Sequence, residues 1–160
     1  MSSRTSSVPG VLVLLLAFAG IAPAAGGPDI RAKLAAPSET KAGAKTTIAV
    51  EMTIGPGWHV NSHTPSEPYL IPTAVSLTTS AGSLSPVRYA KDEEKRFAFS
   101  DKPLRVYTGT VRFETDLEVP AGTSGDVSVE GNLTYQACND QQCFPPAKIP
   151  LKATAKITSR

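Results

Sequence analysis

The chain has 160 residues, with 16 Lys and Arg against 14 Asp and Glu and a formal charge of +2. So even a balance supplies no concentrated basic patch, which excludes nucleic acid and acidic membrane surfaces as the main partners. Partners are therefore expected to be chosen by shape and local chemistry.

At the N-terminus, Arg4 precedes a short apolar core, residues 11–16 continued by Ala17, Phe18, Ala19 and Ile21. Small residues follow at Ala22-Pro23-Ala24-Ala25. This is the pattern of a secretory signal peptide cleaved near Ala24 or Ala25. The apolar run falls short of the roughly 20 residues of a permanent membrane span. Residues 1–25 are thus expected to be removed and the protein to be exported. Residues 26–160 then form one soluble domain, with 15 basic and 14 acidic residues and a net charge of +1.

Within that domain Ile48, Val50, Met52 and Ile54 alternate with Thr47, Ala49, Glu51 and Thr53, the period of a strand with one buried face. Gly55-Pro56-Gly57 stops it, and Trp58-His59-Val60 opens another extended piece. Residues 72–79 alternate Ala74, Ser76 and Thr78 against Val75 and Leu77, and residues 84–89 form a weaker candidate. Leu104 and Val106 are followed by Val111, Phe113, Thr115 and Leu117, with Gly109 marking a bend or bulge between them. Val127 and Val129 lead to Leu133 and Tyr135; beyond Pro145-Pro146 a last strand runs through Ile149 and Leu151 toward Ile157. No helical period competes, and 14 prolines would interrupt one. Seven to nine short strands in one domain predict an all-β, immunoglobulin-like sandwich.

One segment departs from this pattern. Lys91-Asp92-Glu93-Glu94-Lys95-Arg96 is a charged run followed at once by Phe97-Ala98-Phe99. Charges alone describe a solvated loop, but two aromatics beside them need a surface to cover. The segment is expected to be a flap.

The domain has two cysteines, Cys138 and Cys143, enclosing Asn139, Asp140, Gln141 and Gln142. Asn and Asp favour turns, so the pair is expected on the arms of a tight hairpin, close enough to bond. The two lie too close together to pin one sheet of a sandwich to the other. In an exported protein the plain expectation is a disulfide. A loop of about six residues contributes roughly 2 kcal/mol by chain entropy, a modest gain for a domain with its own core. Composition and spacing leave a passive clip and a redox pair evenly matched. A metal site joining the pair to His59 and His63, the two histidines, is disfavoured, because Cys-x4-Cys is looser than the usual zinc spacing.

The run Leu133-Thr134-Tyr135-Gln136-Ala137-Cys138, then Asn139-Asp140-Gln141-Gln142, then Cys143-Phe144-Pro145-Pro146 resembles the active-site hairpin of the N-terminal periplasmic domain of the thiol:disulfide interchange protein DsbD. Gly57-Trp58-His59-Val60-Asn61-Ser62, Ile71-Pro72-Thr73 and Val106-Tyr107-Thr108-Gly109 are similar to that family too. The resemblance implies a redox-active disulfide between Cys138 and Cys143, with no metal or organic cofactor. It implies that Cys143 forms mixed disulfides and that Cys138 resolves them. Phe97 or Phe99 would be the aromatic of a cap loop shielding the pair. Tyr135, Gln136, Phe144, Pro145 and Pro146 would frame the hairpin and the partner-binding edge. Implied partners are thioredoxin-like periplasmic proteins and a membrane electron-conduit protein, separate from this chain, with the domain itself a monomer. The alternative from another class is an exported immunoglobulin-like binding module whose disulfide only clips a loop.

Overall fold

The computed structural model describes residues 27–158, all of whose regular structure is β. The signal-peptide segment and its cleavage site lie outside the described residues. Twelve strands are formed: β1 (Ile30–Ala35), β2 (Glu39–Lys41), β3 (Lys45–Ile54), β4 (His59–Asn61), β5 (Ala74–Thr79), β6 (Ser83–Leu84), β7 (Glu93–Lys95), β8 (Leu104–Tyr107), β9 (Thr110–Glu118), β10 (Gly125–Tyr135), β11 (Ala137–Cys138) and β12 (Ala147–Thr158). Their order is β1-β3-β9-β6 in one sheet and β2-β12-β10-β5 in a second. A small third sheet is ordered β11-β4-β8-β7. The pairs are antiparallel except β2 with β12.

The period-2 pattern builds the core. Ile48, Val50 and Met52 of β3 and Phe113 and Leu117 of β9 are buried from one sheet; Val127, Val129, Leu133 and Leu151 meet them from the other. Each such side chain removed from water contributes about 1.5–3 kcal/mol, and together they define an immunoglobulin-like sandwich. The count exceeds the expected seven to nine because several short strands carry too few residues to show a period. β2, β6 and β11 have three, two and two residues.

The third sheet collects chain from both faces of the sandwich. β3 enters it through Gly55-Pro56-Gly57, and β10 enters it through Gln136. β8 leaves it for β9 at Gly109, whose φ of 63° a side chain would strain and whose carbonyl accepts the Ile54 amide at 2.7 Å. Gly109 is thus the expected bend, and it turns the chain between sheets.

The charged run departs from its reading as a loop. Glu93–Lys95 is strand β7, paired along Leu104–Val106 of β8 at the edge of the small sheet. Charges on an edge strand are compatible with pairing on one side, and they discourage pairing with a second molecule on the other. The flap proper begins at Arg96. A small apolar cluster, Leu70, Leu104 and Val106 with Phe97 against it, lies beneath.

Candidate functional site

The two cysteines stand where the resemblance leads one to look. β11 pairs with β4, Ala137 opposite Val60 and Cys138 opposite His59. The chain then turns on Asn139, whose side-chain oxygen accepts the amides of Gln141 and Gln142, each at 2.9 Å. The Asn139 amide donates to the Gln142 carbonyl at 2.9 Å, and the Phe144 amide donates to Ala137 at 2.8 Å. These bonds bring Cys143 opposite Cys138, and the two are joined in a disulfide with Cα atoms 4.0 Å apart. The pair is asymmetric: Cys138 is 1% exposed, whereas Cys143 faces solvent.

The flanking residues hold this hairpin in distinct ways. Gln136 donates to the Phe144 carbonyl at 3.2 Å, while its oxygen accepts from Asn61 Nδ2 at 3.1 Å and the Ile71 amide at 3.3 Å. It thereby ties both hairpin arms to the end of β4 and to the chain that follows it. Phe144 meets Trp58 edge-on, with centroids 5.2 Å apart. Pro145 and Pro146 are exposed beside Cys143. Tyr135 is placed differently: it is buried in the main core and anchors the hairpin from below, away from its outer surface.

The flap lies over the same corner. The Phe97 ring stacks on His59 with centroids 4.1 Å apart, and Phe99 stacks on Phe97 at 5.4 Å, itself 44% exposed. Phe97 is therefore the inner of the two aromatics, and Phe99 the outer. At the root of the flap, Asp92 accepts from Ser62 Oγ at 2.5 Å and from Arg105 at 2.8 Å. Partial burial works against the Asp92 carboxylate, but these two hydrogen bonds hold its pKa below the usual range. A cleft of about 350 Å³ opens beside the flap, lined by Gly57, Trp58, His59, Lys95, Phe97 and Asp140.

The two histidines are separated by the fold. His63 stacks on Tyr89 at 4.1 Å, with Nδ1 3.2 Å from the Tyr107 hydroxyl. His59 alone neighbours the cysteines; it is 3% exposed, and its Nε2 has no hydrogen-bond partner among the described residues. Burial, with a lesser contribution from Lys95, pushes its pKa down to about 4 against an opposing pull from Asp140. Sequence reasoning recognised His59 as a strand histidine and missed its place beside Cys138. The one available signal was its position in the Gly-Trp-His-Val-Asn-Ser stretch, which says nothing of what that strand pairs with.

Comparison with known proteins supplies the context. Residues 31–153 match the family described as thiol:disulfide interchange protein DsbD, N-terminal. Among solved structures the chain is similar to the reduced DsbD N-terminal domain of Neisseria meningitidis, at 19% identity, 77% of this chain, 82% of that one and a TM-score of 0.48. It is similar to the N-terminal periplasmic domain of ScsB from Proteus mirabilis, at 17% identity, 77% of this chain, 43% of that one and a TM-score of 0.50. A third likeness is to the complex between the DsbD N-terminal and PilB N-terminal domains of Neisseria meningitidis, at 18% identity, 77% of this chain, 80% of that one and a TM-score of 0.48. No significant match is found among curated proteins. At 17% identity the ScsB likeness bears on the fold alone; the family rests on the match over residues 31–153. The chain belongs to the family of the N-terminal domain of the thiol:disulfide interchange protein DsbD.

Proposed function

We propose that the Cys138–Cys143 pair relays reducing equivalents in the periplasm by thiol–disulfide exchange with thioredoxin-like proteins. A membrane electron-conduit protein re-reduces it, and the route serves disulfide isomerisation or cytochrome c maturation. The observation that carries this reading is one disulfide joining a buried cysteine, Cys138, to an exposed one, Cys143, on a hairpin. Family membership supports interchange as the chemistry.

In the reduced domain the Cys143 thiolate attacks a partner disulfide, forming the mixed disulfide and releasing the partner's second sulfur as thiolate. Cys138 then attacks Cys143 Sγ, the bond to the partner breaks, and the partner leaves with its second thiol. Two electrons pass to the partner, and the domain ends as the disulfide. No metal or organic cofactor enters this balance. The domain acts as an exported monomer whose signal peptide has been removed.

The test is the reduction potential of the pair in glutathione buffers. A value above about −300 mV fits an exchange site; one below it marks a bond inert to the compartment, and the domain would then be a binding module with a clip.

In this reading the flap limits unspecific exchange, with Phe97 as the shield. Its stacking on His59 and contact with the Leu70 cluster are worth about 1–2 kcal/mol of closure, or about tenfold in access. Phe97→Ala is thus expected to speed reduction of the disulfide by glutathione about tenfold. Phe99→Ala, which removes only the outer ring, should change it less than about twofold. Equal rates for Phe97→Ala and the parent protein would dismiss the shield.

A further inference from the structure

His59 presents a chemical problem that exchange alone leaves unsolved. It is a buried polar ring with an unpartnered Nε2, and burying such a group without a hydrogen bond costs free energy. The strand register puts it directly opposite Cys138, and Cys138 is in turn opposite Cys143. Residues opposed across antiparallel strands project to the same face, so the imidazole and the two sulfur-bearing side chains form one row. Phe97 covers the ring from the flap side.

The second half of the exchange makes a demand at this row. Cys138 must attack as a thiolate, since the thiol is a poor nucleophile. At 1% exposure, Cys138 has little access to water that could take its proton. The other titratable groups facing the ring are Lys95, from β7, and Asp140, from the turn. Lys95 is a cation already in contact with Glu93, and Asp140 is exposed. Neither is a buried acceptor.

We infer that His59 is the proton acceptor for Cys138: as Cys138 Sγ attacks Cys143 Sγ in the mixed disulfide, the Cys138 thiol proton passes to His59 Nε2. The Cys143–partner bond breaks, the partner sulfur leaves with the electron pair, and the imidazolium returns the proton to that departing thiolate. Sulfur, proton and charge all balance, and no further reactant is needed. Burial keeps the ring neutral above about pH 4 while the disulfide is closed, so it is ready to accept. A thiolate formed beside it would stabilise the imidazolium and raise its pKa in the open state. The inference rests on the pair being an exchange site.

The two halves of the reaction can be watched separately. Reduced protein mixed with dithiobis(nitrobenzoate) releases one coloured thiolate when Cys143 attacks and a second when Cys138 resolves. In His59→Gln the first release is expected at least as fast as in the parent, because loss of the stacked ring loosens Phe97. The second should slow by about 10²-fold at neutral pH and become proportional to hydroxide concentration. If both phases keep the parent's rates and pH profile, or slow together, His59 is only a packing residue. Failure of the first phase in the parent protein would instead sink the exchange reading itself. A measurement that needs no variant is the solvent isotope effect on the two releases of the parent protein. The second should slow about twofold in deuterium oxide while the first does not, and equal effects on both overturn the assignment.

Discussion

Cys138→Ala is expected to accumulate covalent complexes with its partners through Cys143, whereas Cys143→Ala accumulates none and its exchange falls to the uncatalysed background. The expectation comes from burial. Cys143 is the solvent-facing sulfur, and Cys138 lies beneath it at 1% exposure, paired with His59 inside the small sheet. A partner disulfide can approach only the outer sulfur in line, and once bound there it is released by the inner one. Stability cannot produce the same asymmetry. Either substitution opens the same loop, so both forfeit the same roughly 2 kcal/mol of chain-entropy stabilisation. Non-reducing electrophoresis after incubation with a periplasmic thioredoxin-like protein reads the result directly. Trapping by Cys143→Ala alone would reverse the roles, and would mean that the hairpin rearranges before it reacts.

How far the sequence carries toward this site depends on the range of each interaction. Ile48, Val50 and Met52 sit at spacing two because each touches the same core from one strand, and that signal is local. The turn at Asn139 is local as well, since its side chain bonds amides two and three positions ahead. The charged run misled because pairing, not composition, makes Glu93–Lys95 a strand, and its partner lies beyond the flap. Phe97 and Phe99 are two residues apart and equally apolar. His59, Leu70, Leu104 and Val106, brought from other segments, distinguish the inner ring from the outer. His59 is the extreme case. Its strand character is written in Trp58-His59-Val60, but the register opposite Cys138 joins segments 79 positions apart, and register is fixed by the assembled sheet. The resemblance located the hairpin; the fold supplied its neighbour.

That neighbour also predicts how the protein responds to acid. In the folded disulfide form the His59 pKa is pushed down to about 4 from 6.5, chiefly by burial. An unfolded chain takes up the proton below about pH 6.5, whereas the folded one resists it until about pH 4, so the unfolded state binds more protons throughout that window. Stability is then at its full value above about pH 6.5 and falls as the pH drops toward 4. Two and a half pH units correspond to about 3 kcal/mol, a large share of a small domain's total. The carboxylates Asp92 and Asp116 have lowered pKa values, from burial opposed by hydrogen bonds in the first and from Arg88 in the second. Their contribution is lost as the pH falls through those lowered values, chiefly below about pH 4, so the window above it belongs mainly to His59. Urea unfolding at pH 7 and pH 4 should therefore show the parent losing about 3 kcal/mol more than His59→Gln does. The glutamine keeps a polar, planar group in the same space but has nothing to titrate. An identical acid loss in the two proteins would mean that the folded ring takes up its proton as readily as the unfolded chain does, which its burial beneath Phe97 opposes.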